Sequence, residues 1–329
     1  MKNPQSIIND NTLPGISLLI PFYNPGKRLE QALRSAIQLQ YPNLEIVLCN
    51  DGSTDDSLNQ VQDLIQKSPI PITLISNPTR MGIPYTRNRL METAKHPYLA
   101  WLDADDTTHP LRLYWQMQAL IQNPNAAMCV AEALYVYANK TRYKRVVRNP
   151  LLLKTALFFK QPFPFSSCLV KKDCVAAKFN TRYFRAQDFD WIYKFLHNSE
   201  LCVVHKPVVR VHILPDSQKP DIGSTQKILT QIQLEKLHEV GVHSSESEAE
   251  CLVIFLRNRK SLSSARVKSA LVTMKKVVKA WPDPNTYGYI RALYGYYCWA
   301  AFRSHGVEFF TLKPLRDLPV VWQLMSARV

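Results

Sequence analysis

The first half of the chain alternates between short apolar runs and segments with the periodicity of amphipathic helices. The apolar runs are rich in β-forming residues and predict strands at Ile16–Tyr23, Leu44–Asn50, Ile72–Ser76, Tyr98–Asp103 and Ala127–Glu132. The intervening segments predict helices at Gly26–Gln40, Asp55–Gln66, Tyr85–Ala94 and directly after Pro110. Alternation of this kind is typical of βαβ units. The sequence therefore predicts an α/β fold, with a mostly parallel, Rossmann-like sheet flanked by helices.

The alternation weakens after Tyr135, and the last third of the chain has a helical pattern throughout. Helices are expected at Thr225–Val240, Ser245–Lys260, Ser261–Ala280 and Tyr287–Arg303. We place the boundary near residue 220. The prediction is an α/β domain over residues 1–220 and a helical C-terminal region over residues 221–329.

The composition restricts where such a protein works and what it binds. Lys and Arg number 41 against 26 Asp and Glu, a formal net charge of +15, which attracts nucleic acid, anionic lipid or phosphorylated substrates. The seven cysteines are scattered without a C-x-x-C pair, as expected of a reduced chain. The first residues lack a signal-peptide pattern, and the longest apolar run, Ala292–Phe302, is shorter than the ~20 residues that span a bilayer. We therefore expect a cytoplasmic protein.

Three polar segments follow predicted strands directly. They are PFYN at Pro21–Asn24, NDGSTDDS at Asn50–Ser57 and LDADD at Leu102–Asp106. Ligands of open parallel sheets bind where the strands end, so these segments mark a candidate site. Carboxylates gathered at one place repel each other unless a cation binds, and their oxygen atoms suit Mg²⁺ or Mn²⁺. The alternating Asp103 and Asp105 can both reach one such ion, which would stabilise charge on a departing diphosphate.

These segments also have a purely structural interpretation. An isolated D-x-D is more often a solvated turn or a helix cap than a metal site, and Asp106 would cap the helix after Pro110. The run Asp51-Gly52-Ser53 alone is more often a turn followed by a helix N-cap. The order of the three segments on successive strands favours the functional interpretation.

An ordered set of motifs carries a resemblance to a known family. The set runs through ISLLIPFYN, YPNLEIVLCNDGSTDDS, NPTRMGIPYTRN and YLAWLDADD, and covers residues 16 to 106. In this order and spacing, the chain resembles glycosyltransferase family 2, whose members have the GT-A fold and invert the sugar they transfer. The family includes many bacterial transferases of polysaccharide and lipopolysaccharide synthesis. The resemblance implies a nucleoside-diphosphate sugar as donor, a glycan or lipid-linked acceptor, and Mn²⁺ or Mg²⁺ as cofactor.

The resemblance implies roles for residues of the nucleotide site. Pro21 and Tyr23 match positions beside the base and ribose, where Tyr23 offers its ring for stacking unless it serves ordinary packing. Asp51 matches the aspartate that accepts a hydrogen bond from a pyrimidine imide, so UDP is the expected nucleotide, with dTDP and GDP not excluded. Arg87 matches a basic group near the diphosphate. Arg80 lies in the same segment and is either a further ligand or a solvated surface charge.

The resemblance also implies a metal site. Asp103 and Asp105 match the family's D-x-D motif, with Asp105 as the direct ligand and Asp103 towards the ribose or a metal water. Asp106 is a third candidate. The segment VVRVHILPDS at residues 208–217 resembles the family's terminal strand, in which a histidine approaches the metal or diphosphate. His212 takes that position here, although a single histidine is more often structural.

The segment RAQDFDWIYKF at residues 185–195 supplies the candidate general base. Family members carry an acidic pair, often Glu-Asp, at the start of a helix beyond the D-x-D motif, and its Asp acts as the base. Gln187 replaces the Glu here. Asp188 keeps the position of the base, which takes a proton from the acceptor hydroxyl during a single displacement. Asp190 is the alternative base, and a plain helix start that favours acidic residues is the structural alternative.

The last third is basic over residues 257–281 and aromatic over residues 287–302. These segments fit either a membrane surface or a helical bundle with a solvated basic face. We expect peripheral contact with the inner face of the membrane, or with a partner.

The sequence thus predicts an inverting, metal-dependent glycosyltransferase of cell-surface polysaccharide synthesis. The alternative is a non-catalytic basic protein that binds anionic membrane or nucleic acid on a transferase scaffold; no nucleic acid is expected, since no nucleic-acid-binding module is recognisable.

Overall fold

The computed structural model describes residues 12–213, 222–258 and 261–305, which form two compact units. The first unit comprises residues 12–146 and 163–213. The second comprises residues 147–162, 222–258 and 261–305. The sequence predicted one boundary, near residue 220. In the structure, residues 147–162 interrupt the first unit in sequence but pack with the second.

The first unit is built on one sheet, whose first half is parallel. This half consists of β1 (Ile16–Phe22), β2 (Leu44–Asn50), β3 (Ile72–Ser76) and β4 (Tyr98–Trp101). β1 lies between β2 and β4, with Ile16 opposite both Leu44 and Tyr98. Every residue of β1 and β2 is buried, as expected of strands covered on both faces. Because these strands are parallel, the carboxyl ends of β1, β2 and β4 meet at one edge of the sheet.

The helices of the parallel half have the predicted order. They are α1 (Lys27–Ile37), α2 (Ser57–Gln66), α3 (Ile83–Thr93) and α4 (Arg112–Gln122). α1 buries Leu29, Leu33 and Ala36, the apolar positions that its periodicity predicts. Further along the chain, α5 (Pro150–Ala156) belongs to the second unit, and α6 (Gln187–His197) returns to the first.

The second half of the sheet is mixed. It contains β5 (Thr107–Thr108), β6 (Ala126–Tyr137), β7 (Lys140–Lys144), β8 (Leu169–Lys171) and β9 (Glu200–His212). The strand order is β3-β2-β1-β4-β8-β6-β9-β5, with β7 paired to β6. β8 is antiparallel to β4 and β6, whereas β9 runs parallel to β6. The predicted α/β class is confirmed, and the parallel character is confined to β1–β4 and the β6–β9 pair.

A buried arginine forms hydrogen bonds where the two halves of the sheet meet. Arg112, at the start of α4, is fully buried, and its Nη2 donates to the carbonyl oxygens of Trp101 at 3.0 Å and Cys168 at 3.2 Å. Its Nε donates to Gln116 Oε1 at 2.9 Å. Burial lowers the pKa of Arg112 to about 10, so the group stays charged at neutral pH. These bonds hold the end of β4 beside the short 3₁₀ helix Phe165–Ser167.

The second unit is helical. It contains α5, α7 (Ile222–Glu239), α8 (Glu246–Asn258), α9 (Ser264–Ala280) and α10 (Tyr287–His305), so the four helices expected in the last third are present. Asn149 Nδ2 donates to the Tyr289 hydroxyl at 2.9 Å, and the Phe158 ring lies edge-on to Trp281 with centroids 5.3 Å apart. Across the ranges that the structure describes, no helix has the length and apolar character required to cross a membrane.

Candidate active site

A cleft of about 510 Å³ opens at the carboxyl ends of β1, β2 and β4. Its walls come from the loops after these strands, from the starts of α1 and α3, and from the residues that begin α6. Seven of the predicted site residues line it together: Pro21, Tyr23, Asp51, Arg87, Asp103, Asp105 and Asp188. His212 does not line the cleft, but it contacts the loop that carries Asp105. Parallel strands thus gather residues that are far apart in the sequence.

The Asp51 carboxylate binds the backbone of the loop before α3, at Met81 and Gly82. Asp51 lies directly after β2 and is 4% exposed. Its Oδ1 accepts hydrogen bonds from Asn77 Nδ2 at 2.7 Å and from the Met81 N–H at 2.9 Å, and its Oδ2 accepts one from the Gly82 N–H at 2.9 Å. A carboxylate offers about four lone-pair sites. One site on Oδ2 therefore remains for a ligand.

Arg87 is enclosed by aromatic rings. Its guanidinium carbon lies 4.2 Å from the centre of the Phe165 ring, with the rings of Phe179 and Trp101 at 5.5 and 5.8 Å. Its Nη2 donates to Asp103 Oδ1 at 2.9 Å, and its side chain is 4% exposed. Within the described residues, its Nε and Nη1 are buried without a hydrogen-bond partner. The structure places Arg87 where it orients Asp103, and contact with a phosphate stays a prediction.

Three carboxylates share the loop after β4. Asp106 is buried and accepts hydrogen bonds from Ser166 Oγ at 2.6 Å and from the His212 N–H at 3.1 Å. Burial, and the charges of Asp103 and Asp105, raise the pKa of Asp106 well above its usual range. Burial and the charge of Asp103 also raise the pKa of Asp105. The cluster therefore carries an electrostatic cost that a bound cation would relieve.

His212 contacts the backbone of the loop that carries Asp105. Its Nδ1 lies 2.8 Å from the carbonyl oxygen of Asp105. Because a carbonyl oxygen only accepts, Nδ1 carries the proton in this contact and Nε2 keeps a lone pair. A carboxylate and an imidazole suit Mn²⁺. Among the described residues no three His, Cys, Asp or Glu side chains surround one point, so a metal at this loop would take its remaining ligands from phosphate and water.

A left-handed residue places Asp188 in the cleft. Ala186 has φ 52° and ψ 17°, a conformation that is uncommon for a residue with a Cβ atom. It turns the chain at the start of α6, where Gln187 and Asp188 line the cleft. Asp190 is buried instead, and its carboxylate pairs with Lys194 at 2.9 Å. The structure therefore brings Asp188 to the site and not the alternative base, Asp190.

Arg80 covers one face of the Tyr23 ring. Its guanidinium carbon lies 4.3 Å from the ring centre, and both side chains line the cleft. Tyr23 is 37% exposed, so it is not simply a packing residue. A nucleobase would stack on Tyr23 either at the opposite face or after Arg80 has moved.

Several residues of the site were not predicted from the sequence. Arg28, in the first turn of α1, lines the cleft, donates from Nε to the Pro25 carbonyl at 3.1 Å, and opposes the rise in the pKa of Asp105. Arg185 lines the cleft just before α6. Asn77 follows β3 directly, so the strand-end rule that found Asp51 would also have found this partner.

Comparisons with known proteins identify the family of this chain. Residues 17–194, more than half of the chain, match the family model described as Glycosyl transferase family 2. The chain belongs to this family. It is 31% identical over 127 residues to the UDP-Glc:alpha-D-GlcNAc-diphosphoundecaprenol beta-1,3-glucosyltransferase WfaP of Escherichia coli, a match that covers 38% of this chain and 45% of WfaP. The chain spans about half the length of the curated relatives that it matches, 44% of one and 58% of another.

Solved structures share the fold of this family 2 protein. S. aureus TarS 1–349 in complex with UDP-GlcNAc has a TM-score of 0.60 at 15% identity, over 95% of this chain and 92% of TarS 1–349. The mannosyltransferase PcManGT from Pyrobaculum calidifontis, in complex with GDP-Man and Mn²⁺, has a TM-score of 0.53 at 16% identity, over 97% and 87%. At these identities the likeness shows the fold alone, and it confirms the predicted GT-A type.

Proposed function

We propose that this family 2 protein transfers a sugar, with inversion, from a nucleoside-diphosphate sugar to a hydroxyl of a glycan or lipid-linked acceptor. The observation that carries the proposal is one cleft lined by Asp51, Asp105 and Asp188, carboxylates from three separate elements. The setting we propose is cell-surface polysaccharide synthesis. The diphosphoundecaprenol-linked substrate in the name of WfaP supports that setting.

The nucleotide would bind beside Pro21, Tyr23 and Asp51. The Asp51 lone-pair site that its loop leaves unused accepts a hydrogen bond from the imide of uracil, which favours UDP. Tyr23 supplies a ring for stacking, with Arg80 on its other side. The UDP-GlcNAc complex of TarS supports a uridine nucleotide.

A divalent metal fits the residues of the β4 loop. Asp105 and the Nε2 atom of His212 would hold it, with Asp103 towards the ribose or a water. When bound, the metal supplies positive charge that stabilises the departing diphosphate. The Mn²⁺ complex of PcManGT supports this assignment.

Arginine side chains would receive the diphosphate. Arg28 and Arg185 line the cleft, and the contact with Pro25 leaves the two terminal amino groups of Arg28 available to phosphate oxygens. Arg87 contributes through Asp103, which it orients, and reaches phosphate itself only if that contact opens.

Asp188 would act as the general base. Its carboxylate takes the proton of the acceptor hydroxyl while the hydroxyl oxygen attacks the anomeric carbon. The bond from that carbon to the diphosphate oxygen breaks, and its electron pair leaves with the nucleoside diphosphate. A single displacement from the opposite face inverts the configuration of the sugar.

We also propose peripheral contact with anionic membrane through α9. Lys268, Lys275 and Lys279 are exposed, and Val272 between them is 46% exposed. Their spacing places all four on one stripe of the helix. Sedimentation with phosphatidylglycerol vesicles tests the contact: binding should fall when the three lysines become Gln, and unchanged binding would refute it.

Calorimetric titration of UDP, with and without Mn²⁺, tests the donor site. We expect metal-dependent binding that is lost in Asp105→Ala, with dTDP and GDP as controls. Asp188→Asn should bind UDP like the wild type and yet fail to transfer sugar, because only proton removal is affected. Undiminished transfer by Asp188→Asn would eliminate Asp188 as the base, and absence of binding by all three nucleotides would contradict the proposed function.

A further inference from the structure

A basic hairpin extends from the sheet of the first unit. We define the basic hairpin as residues 133–145, formed by the end of β6, all of β7 and Arg145. It carries four cations, Lys140, Arg142, Lys144 and Arg145, in six residues. The sequence contains no Asp or Glu between residues 133 and 172. The hairpin is thus a local concentration of positive charge, which the net charge of the whole chain does not reveal.

Three of the four hairpin cations lack a carboxylate partner in the part of the chain that the structure describes. Some surface cations elsewhere have such partners, as in Arg34 with Glu30 at 2.8 Å and Lys178 with Glu92 at 2.7 Å. Across the described residues, no ion pair includes Lys140, Arg142 or Arg145.

These cations lie over aromatic rings instead. Lys140 Nζ and the Arg142 guanidinium carbon lie 5.9 and 5.6 Å from the centre of the Tyr137 ring. The Arg145 guanidinium carbon lies 5.9 Å from the centre of the Tyr143 ring, whose hydroxyl donates to buried Glu132. The hairpin therefore combines exposed positive charge with aromatic faces.

The basic hairpin begins beside the candidate active site. Val136, next to its turn, pairs with His212 of β9, and the Ile213 N–H donates to the Val136 carbonyl at 2.8 Å. His212 in turn contacts the carbonyl of Asp105. Neighbouring strands lie about 4.8 Å apart. The hairpin turn is therefore one strand away from the residue that we assign to the metal.

We propose that the basic hairpin binds an anionic glycan and leads it, as the acceptor, to the cleft. Lys140, Arg142 and Lys144 alternate along β7, so they share one face at intervals of about 7 Å. Such a row matches a linear ligand with recurring negative groups, and Tyr137, which lies opposite Lys140 in the β6–β7 pair, offers a ring to its sugar units on the same face. The proposal rests on the proposed function, because an acceptor presupposes transfer.

The charges also have a simpler explanation, since Lys and Arg on an edge strand prevent unwanted strand pairing. That explanation accounts for their presence but predicts no effect on glycan binding. The two explanations therefore differ in a measurable way.

The experiment compares two triple variants that lose the same charge. Lys140→Gln/Arg142→Gln/Arg145→Gln removes charge from the basic hairpin, and the control Lys95→Gln/Lys206→Gln/Lys227→Gln removes it from exposed positions outside the hairpin and outside α9. Fluorescence anisotropy measures binding of labelled dextran sulfate, with neutral dextran of equal length as the control. We expect the hairpin variant to bind about 3- to 100-fold more weakly, the effect of three exposed ionic contacts. The control variant should stay within about twofold of wild type, and UDP affinity should not change in either variant.

A charge-preserving variant, Lys140→Arg/Arg142→Lys/Arg145→Lys, should retain dextran sulfate binding and shows that the charge matters. Equal weakening in both triple Gln variants, or none in the hairpin variant, would overturn the proposal. So would a hairpin variant that loses binding only to phosphatidylglycerol vesicles, because the surface would then contact membrane. Hairpin-dependent dextran sulfate binding without UDP binding would refute the transferase and the acceptor role together, and leave a polyanion site.

Discussion

Asp51 and Asp105 line the same cleft, yet we expect their replacement to change stability in opposite directions. In Asp51→Asn, the remaining oxygen can still accept from Asn77 and Met81, but the new NH₂ group faces the Gly82 N–H. The partly buried Gly82 N–H is left unpaired, at about 1–3 kcal/mol, and two charge-assisted bonds become neutral, at about 1 kcal/mol each. The expected loss is about 3–5 kcal/mol, a large part of the ~5–15 kcal/mol that stabilises a typical domain.

Asp105→Asn should instead raise the free energy of unfolding in the absence of metal. Burial and Asp103 raise the pKa of Asp105 in the folded protein, so the folded state disfavours its ionised form. The stability contributed by this group is therefore present at low pH and is lost as pH rises through the raised pKa. Above the raised pKa the ionised carboxylate destabilises the fold, and a neutral Asn removes that cost.

Urea unfolding in EDTA at pH 7.5, followed by tryptophan fluorescence, measures both effects. UDP affinity does not distinguish the roles of Asp51 and Asp105, since both variants should lose UDP binding. The free energy of unfolding does distinguish them. If the free energy of unfolding of Asp51→Asn is within about 0.5 kcal/mol of wild type, the loss is much smaller than these hydrogen bonds predict. That result would show that the carboxylate does not hold the loop. An Asp105→Asn protein that unfolds more easily than wild type would contradict the electrostatic reasoning.

Three further predictions concern backbone and metal. Gly52→Ala should cost at least about 2 kcal/mol in urea unfolding, because φ is +70° and the new Cβ would lie 2.6 Å from the Thr79 carbonyl carbon; an unchanged midpoint would contradict this. Ala186→Gly should leave the free energy of unfolding within about 1 kcal/mol of wild type or raise it slightly, because relief of the left-handed strain is offset by the greater entropy of the unfolded chain. A large loss of stability would refute the strain. EDTA should abolish sugar transfer and Mn²⁺ should restore it in wild type but not in Asp105→Ala, so activity that survives EDTA would exclude the metal.

The parallel half of the sheet was predictable because β1 and β2 are seven-residue runs buried throughout, and β3 and β4 are shorter, mainly apolar runs between helical segments. β2 and β3 have the predicted bounds, and β4 ends at Trp101, two residues before the predicted end at Asp103. β7 was not predicted because its residues, KTRYK, carry charge and are mostly exposed. β8 has three residues, too few to show a period of two.

The gathering of carboxylates in one cleft also followed from the sequence, since strand ends and family motifs mark the same positions. The surroundings of Arg87 did not, because Phe165 and Phe179 come from distant parts of the chain and enclose it only after folding. Likewise, the left-handed turn at Ala186 has no local signal, since Ala rarely adopts that conformation. Contacts between distant segments decide what each predicted residue can touch.

The placement of residues 147–162 has a consequence for how chains of this kind can be recombined. A truncation near residue 220 would remove the helices against which this segment packs, while keeping α5 and its buried Leu152 and Leu153. Those apolar side chains would then face water and promote aggregation. Exchange of the helical unit between relatives must therefore carry two separate stretches of the gene, the one that encodes residues 147–162 and the one that encodes the last third of the chain.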